Sequence, residues 1–217
     1  MKKAKKVLAL LLCAVLLIGA SVAGTLAFLT SKATVTNTFT VGKVNLGEDG
    51  EAGLDETKVD EYGVAATPTE RVTANTYKLI PGHTYMKDPI VHVGANSEAC
   101  WLFVKVENGI ANIEADTITT GEDPYTKISE QVEANGWTLL DGKTNIYYKA
   151  AAKTGEDGAD YDVFAEFRLK DNAEVSSYES ESITVTAYAI QADGFVDKNN
   201  NGTAADEAWG AAPSDWK

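Results

Sequence analysis

The feature that most constrains the fold is Ser182–Ala192, where Ile183, Val185, Ala187 and Ala189 take one parity and Thr184, Thr186, Tyr188 and Ile190 the other. Side chains alternate across a β-strand with a period of two, so this is the cleanest strand pattern in the chain. Ala99–Glu107 repeats it, with Cys100, Leu102, Val104 and Val106 on one face and Trp101 and Phe103 on the other. An apolar set on each side means that both faces of that strand are at least partly covered.

Shorter segments of the same kind, separated by Gly, Asp and Asn, fill most of the remaining chain. Thr34–Leu46 is strand-like, with Val35, Phe39 and Val41 two or four apart, and Gly42 marks a bulge or bend. Gly47–Thr67 is acidic and contains glycine, which reads as a surface loop. Glu70–Ile80 alternates weakly and stops at Pro81-Gly82. Pro89–Val93 and Ala99–Glu107 read as a hairpin around Gly94-Ala95-Asn96-Ser97, and Trp137–Leu140 and Thr144–Lys149 as another around Asp141-Gly142. In Tyr161–Lys170, Val163, Ala165, Phe167 and Leu169 oppose Phe164, Glu166 and Arg168. One internal segment reads as a helix: Asp123 caps it, Pro124 suits its first position, Ile128 and Val132 form its apolar stripe, and Gly136 ends it. Ala204–Ala212 reads as a short C-terminal helix. About eight strands with no βαβ rhythm predict an all-β fold, a jelly-roll-like β-sandwich with those two short helices.

The N-terminus points to export. Lys2, Lys3, Lys5 and Lys6 precede an apolar run from Val7 to Ala23, and no acidic residue occurs before Glu48. Thr25-Leu26-Ala27 offers the small-spacer-small pattern that a signal peptidase cuts, before Phe28. Ser21-Val22-Ala23 is a second cut, and the uncharged stretch is also long enough for an uncleaved anchor. Small residues between Gly19 and Ala27, and the lack of a basic cluster after them, favour cleavage. The expected organisation is a signal peptide over 1–27 and a single extracellular domain over 28–217. Cleavage removes four of nineteen basic residues and none of the thirty-two acidic ones, leaving a net charge of −17. Such a surface disfavours nucleic acid and anionic membranes. Cys100 is then the lone cysteine, which excludes an intramolecular disulfide and reads as a buried thiol.

The motifs do not nominate an enzyme, and no cofactor is implied. His83 and His92 are the only histidines, with no carboxylate nearby in sequence at ligand spacing, and H-E-x-x-H, G-x-S-x-G and phosphate-loop patterns are missing. Asp197, Asn199 and Asn201, followed by Gly202, match the opening of a calcium loop, but position twelve is Ala208 where a carboxylate belongs. A polar turn leading into the C-terminal helix is the plainer reading. Trp209 and Trp216 suit a sugar platform or, more commonly, packing of that helix.

Three stretches resemble the TasA/camelysin family of Gram-positive matrix-fibre and cell-surface proteins, which a dedicated signal peptidase processes. Gly24-Thr25-Leu26-Ala27-Phe28, followed by Phe39-Thr-Val-Gly42-Lys-Val-Asn-Leu46, is similar to the family's cleavage site and first strand. Leu79-Ile-Pro81-Gly82, ending in Lys87-Asp88, is similar to its Pro-Gly turn, and Ser182–Gln191 to its last core strand; Gly109–Asp160 carries no match. The resemblance implies a secreted jelly-roll subunit of extracellular fibres or biofilm matrix. Its partners would be further copies of itself, joined head to tail, and the signal peptidase during export. Phe28–Asn37 would be donated as a strand to the next copy, with Val35, Phe39 and Val41 filling pockets and Phe39–Leu46 kept at home. The alternatives are a monomeric surface module for carbohydrate or a host protein and, more weakly, a camelysin-like metallopeptidase, for which the sequence holds no zinc motif.

Overall fold

In a computed structural model of the chain, residues 30–33, 44–47, 53–121, 123–178 and 180–216 are described. They form eleven strands, all paired antiparallel: β1 Thr30–Ala33, β2 Leu54–Thr57, β3 Arg71–Val72, β4 Thr84–Met86, β5 Ile90–Val93, β6 Cys100–Asn108, β7 Thr138–Leu139, β8 Ile146–Ala151, β9 Ala159–Asp162, β10 Glu166–Arg168 and β11 Ile183–Gln191. Two helices accompany them, α1 Ile128–Ala134 and α2 Ala205–Ala211. The protein is all-β, as its alternating segments predict.

The largest sheet has the order β1-β11-β6-β8-β7. Its spine is the pairing of β11 with β6 over their whole length, from Ile183↔Asn108 to Gln191↔Cys100. The two faces behave as their parity dictates. Cys100, Leu102, Val104, Val106, Ala187 and Ala189 join the main core with Tyr85 of β4, Val91 and Val93 of β5 and Phe167 of β10. The strands β3-β2-β5-β9 and the pair β10-β4 thus form a second layer against that face. On the opposite face Phe103, Ile146, Tyr188 and Ile190 pack with Ala205, Ala208 and Trp209 of α2 and with Trp216. Trp209 lies 5.0 Å from Phe103 and 5.9 Å from Tyr188 between ring centroids, and Trp216 lies 4.5 Å from Tyr188. Burying a side chain such as Phe103 contributes about 1.5–3 kcal/mol, which is why α2 docks here.

Several local expectations are corrected. β5 and β6 do not form a hairpin: β5 pairs with β2 and β9, whereas β6 pairs with β11 and β8. Two apolar faces bury more surface facing each other across the core than side by side, and β6 finds a nine-residue partner in β11 that four-residue β5 cannot match. Their connection is fastened instead to Thr154–Gly155, through Asn96 N–H to Gly155 O (2.8 Å) and Ser97 N–H to Thr154 Oγ1 (2.8 Å). The acidic stretch expected to be a loop contains β2, an inner strand of the second layer; Glu56 and Thr57 are buried in it because each has a partner, Lys87 for Glu56 and Asp88 for Thr57. Gly53 just before it is required, since a β-carbon there would lie 2.6 Å from Leu46 Cβ.

Tyr161–Lys170 splits into β9 and β10 in different sheets. At the break, helix α1 and its exit supply the missing ladder bonds. Gln131 accepts from Ala165 N–H (2.9 Å) and donates to Glu166 O (2.9 Å), Asn135 donates to Val163 O (3.1 Å), and Trp137 Nε1 donates to Asp162 O (2.8 Å). The helix itself starts later than Asp123-Pro124 predicts. Its N-terminus is satisfied from a distance, with Glu114 Oε1 accepting from Ile128 N–H (2.7 Å) and from the Tyr125 hydroxyl (2.7 Å). Gly136, at φ +82°, ends it as expected.

Candidate functional site

Thr30–Ala33 and Val44–Gly47 lie on different layers. β1 adds to the edge of the large sheet, with Thr30 opposite Ile190, Ser31 opposite Ala189, Lys32 opposite Tyr188 and Ala33 opposite Ala187. Val44–Gly47 runs along the second layer, with Leu46 bridged to Val93, Gly47 N–H donating to His92 O (2.8 Å) and Gly94 N–H to Asn45 O (2.8 Å). β1 therefore sits on its own chain's β11, held by main-chain pairing four residues long. Among the described residues nothing pairs with Ile183–Thr186 on the side of β11 that β1 takes. The cleavage residues Thr25, Ala27 and Phe28, and the strand residues Val35, Phe39 and Val41, lie outside the described residues.

The outer face of the second layer carries a charged ladder across all four of its strands. Arg71 of β3 donates through Nε to Asp55 Oδ1 (2.8 Å) and through an Nη to Asp88 Oδ2 (2.9 Å). Asp55 of β2 also meets His92 Nε2 of β5 (2.9 Å), and the other ring nitrogen, Nδ1, meets Asp160 Oδ1 of β9 (2.7 Å). Burial pulls the His92 imidazole down, but its contacts with Asp55 and Asp160 outweigh that and hold it above its usual value. The sequence placed His92 at an edge without carboxylates; its two partners are 37 and 68 residues away. The only local hint was an alternating strand that put His92 between two inward valines. The Lys87-Asp88 pair of the Pro-Gly motif anchors this face, with Lys87 bound to Glu56, and Asp88 accepting from Thr57 N–H (2.7 Å) and its hydroxyl (2.7 Å).

The Asp197 loop closes on itself. Asp197 accepts from Asn201 N–H (3.2 Å) and Gly202 N–H (2.8 Å), Asn201 binds Thr203 N–H (3.1 Å) and Asp206 (2.6 Å), and Glu207 Oε1 accepts from Lys198 N–H (2.8 Å). Its carboxylates and amides thus act as turn and helix-start acceptors. No Asn199 side-chain contact enters this network. Among the described residues no group of three His, Cys, Asp or Glu side chains is placed to hold a metal ion. His83 is apart from His92, on Tyr62 O (2.8 Å) and against Tyr85. Cys100 is buried in the main core, its thiol pushed up to about 12 by desolvation, which suppresses the thiolate. Trp209 and Trp216 are buried under the C-terminal segment.

A groove of about 600 Å³ is lined by residues 75–79 and 181–183 together with Lys87, Phe167 and Tyr178. Burial raises the Tyr77 phenol well above its ordinary value, helped by the nearby Glu56 and Asp88 carboxylates, so its hydroxyl stays protonated and donates to Met86 O (3.0 Å). No family model, curated protein or solved structure matches this chain.

Proposed function

We propose that this chain is an exported structural subunit of extracellular fibres or matrix, a jelly-roll domain freed by a signal peptidase and joined to further copies through its N-terminal strand. The observation that supports this reading best is the position of β1. It is a four-residue strand that, among the described residues, pairs with β11 alone, and no hairpin connects it to β11. The same segment of a second copy can make the same main-chain bonds in the same register, so exchange within the chain and between chains costs little beyond the connecting segment. A head-to-tail contact of that kind propagates instead of closing. The chain then acts outside the cell, without catalysis or cofactor, and without a membrane once the N-terminal segment is removed. The deciding experiment is electron microscopy and sedimentation of the chain from Phe28 with and without Phe28–Asn37. Filaments from the longer form, and folded monomers from the shorter, are expected; monomers from both in every salt and pH condition overturn the proposal.

One observation favours a second reading, a surface binding module. The groove lined by Tyr77, Phe167 and Tyr178 is large enough for an extended peptide or a short sugar chain. The tryptophan platform imagined for that role is weakened by the burial of Trp209 and Trp216. Chemical-shift perturbation of the residues around Tyr77 by cell-wall glycans or peptides, with no filaments formed, would support it.

A further inference from the structure

The His92 ring lies between two carboxylates that both face it, with Nδ1 2.7 Å from Asp160 Oδ1 and Nε2 2.9 Å from Asp55 Oδ1. A carboxylate only accepts, and a neutral imidazole carries a single N–H. The geometry is therefore that of an imidazolium donating at both nitrogens; with a neutral ring, one nitrogen lone pair would point at a carboxylate oxygen. The two carboxylates are not equivalent. The Asp55 side chain is 17% exposed and is held by Arg71 as well, through Nε and through an Nη donating to the Asp55 carbonyl. The Asp160 side chain is 68% exposed, and His92 is its one side-chain partner among the described residues. Asp160 stands directly opposite His92 on β9, whose one strand neighbour among the described residues is β5.

We propose that His92 is a proton-operated latch that holds strand β9 to the second layer and loosens it as the pH rises. On losing a proton, the ring keeps its remaining N–H for Asp55, because leaving the more buried carboxylate against a lone pair costs more than leaving one that water reaches. Asp160 is then repelled and solvated, and β9 retains its main-chain pairing without its charged clasp. The other charged groups around the ring leave this logic intact. Arg71 of β3 faces Asp55, Asp88 draws on Arg71, and Asp162, two residues along β9 on the same face, is exposed to solvent. The direction is fixed by linkage: a histidine held above its unfolded value of about 6.5 contributes stability that is complete below that value and lost as the pH climbs through the folded one.

The test is a pH titration of the purified protein by imidazole ¹⁵N–¹H NMR, read together with amide exchange in β9 and β2. Both His92 ring nitrogens should be protonated below a midpoint that lies above about 6.5. Above that midpoint the Ala159–Asp162 amides should lose protection relative to Leu54–Thr57 by several-fold. The variant Asp160→Asn separates a latch from a merely structural contact, because a carboxamide can accept from the imidazolium or donate to the neutral ring. It should lower the His92 midpoint and flatten the pH dependence of β9 exchange while the strand stays paired. A His92 midpoint at or below about 6.5, or β9 and β2 amides that change in parallel across the titration in both forms, would overturn the proposal.

Discussion

The two layers of this protein are stabilised by opposite means. The large sheet is covered on both sides by hydrocarbon, the main core on one face and Trp209, Trp216 and helix α2 on the other. The second layer shares the main core through its inner face, but its outer face is tied by Arg71, Asp55, His92 and Asp160, each from a different strand. Hydrophobic burial is indifferent to pH and largely to salt, whereas a half-exposed charge ladder responds to both. One half of the fold is thus a fixed frame and the other a tunable one. The edge that β1 occupies belongs to the frame.

The strongest way to break this comparison is to hollow out the frame. Phe103→Ala removes a fully buried ring packed on Trp209 and should cost about 3–5 kcal/mol, lowering the denaturation midpoint by a similar amount at pH 6 and pH 9. A penalty that varied strongly with pH would show that the large sheet is not the insensitive half. Arg71→Ala should cost less, about 1–3 kcal/mol, since its partners are partly exposed and only part of the desolvation is at stake. Its effect should shrink in about 1 M salt, where the Debye length falls to about 3 Å, while the Phe103→Ala penalty should not. Deleting Phe28–Asn37, which contains β1, should move the melting temperature by only a few degrees, because β11 keeps its nine-residue pairing with β6; polymerisation should stop. Unfolding of the truncated domain would make β1 an obligate part of the frame. The smallest effect is expected at the Asp197 loop. Both Asp197 oxygens already accept from backbone N–H groups and Ala208 stands where the bidentate carboxylate belongs, so calorimetry should show no binding at micromolar calcium, and Asp197→Asn should alter only the local turn. A clear isotherm would reveal a third, ion-dependent region.

Much of the frame could be read from the chain. The parity of Ser182–Ala192 assigned Ala187 and Ala189 to one core and Tyr188 and Ile190 to the other, as found. The Asp141-Gly142 turn joins β7 to β8, and the last helix carries Trp209 onto the sheet. The ladder could not be read in this way. Asp55 lay in a stretch that looked like an acidic loop, and Asp160 just before a segment read as one continuous strand.

The division follows from the range of the forces involved. Side-chain alternation is set by the backbone of a single strand, so the sequence by itself determined which residues of β6 and β11 face which way, that Gly136 would end helix α1, and that the fold would be all-β. Which strand lies beside which is a competition among distant partners, settled by total burial and register. Only the tertiary structure decided that β5 and β6 face each other across a core and that Gln131, Asn135 and Trp137 bridge the break between β9 and β10. It likewise placed Glu114 at the start of α1 and closed His92 between Asp55 and Asp160, contacts that exist because folding brought the strands together.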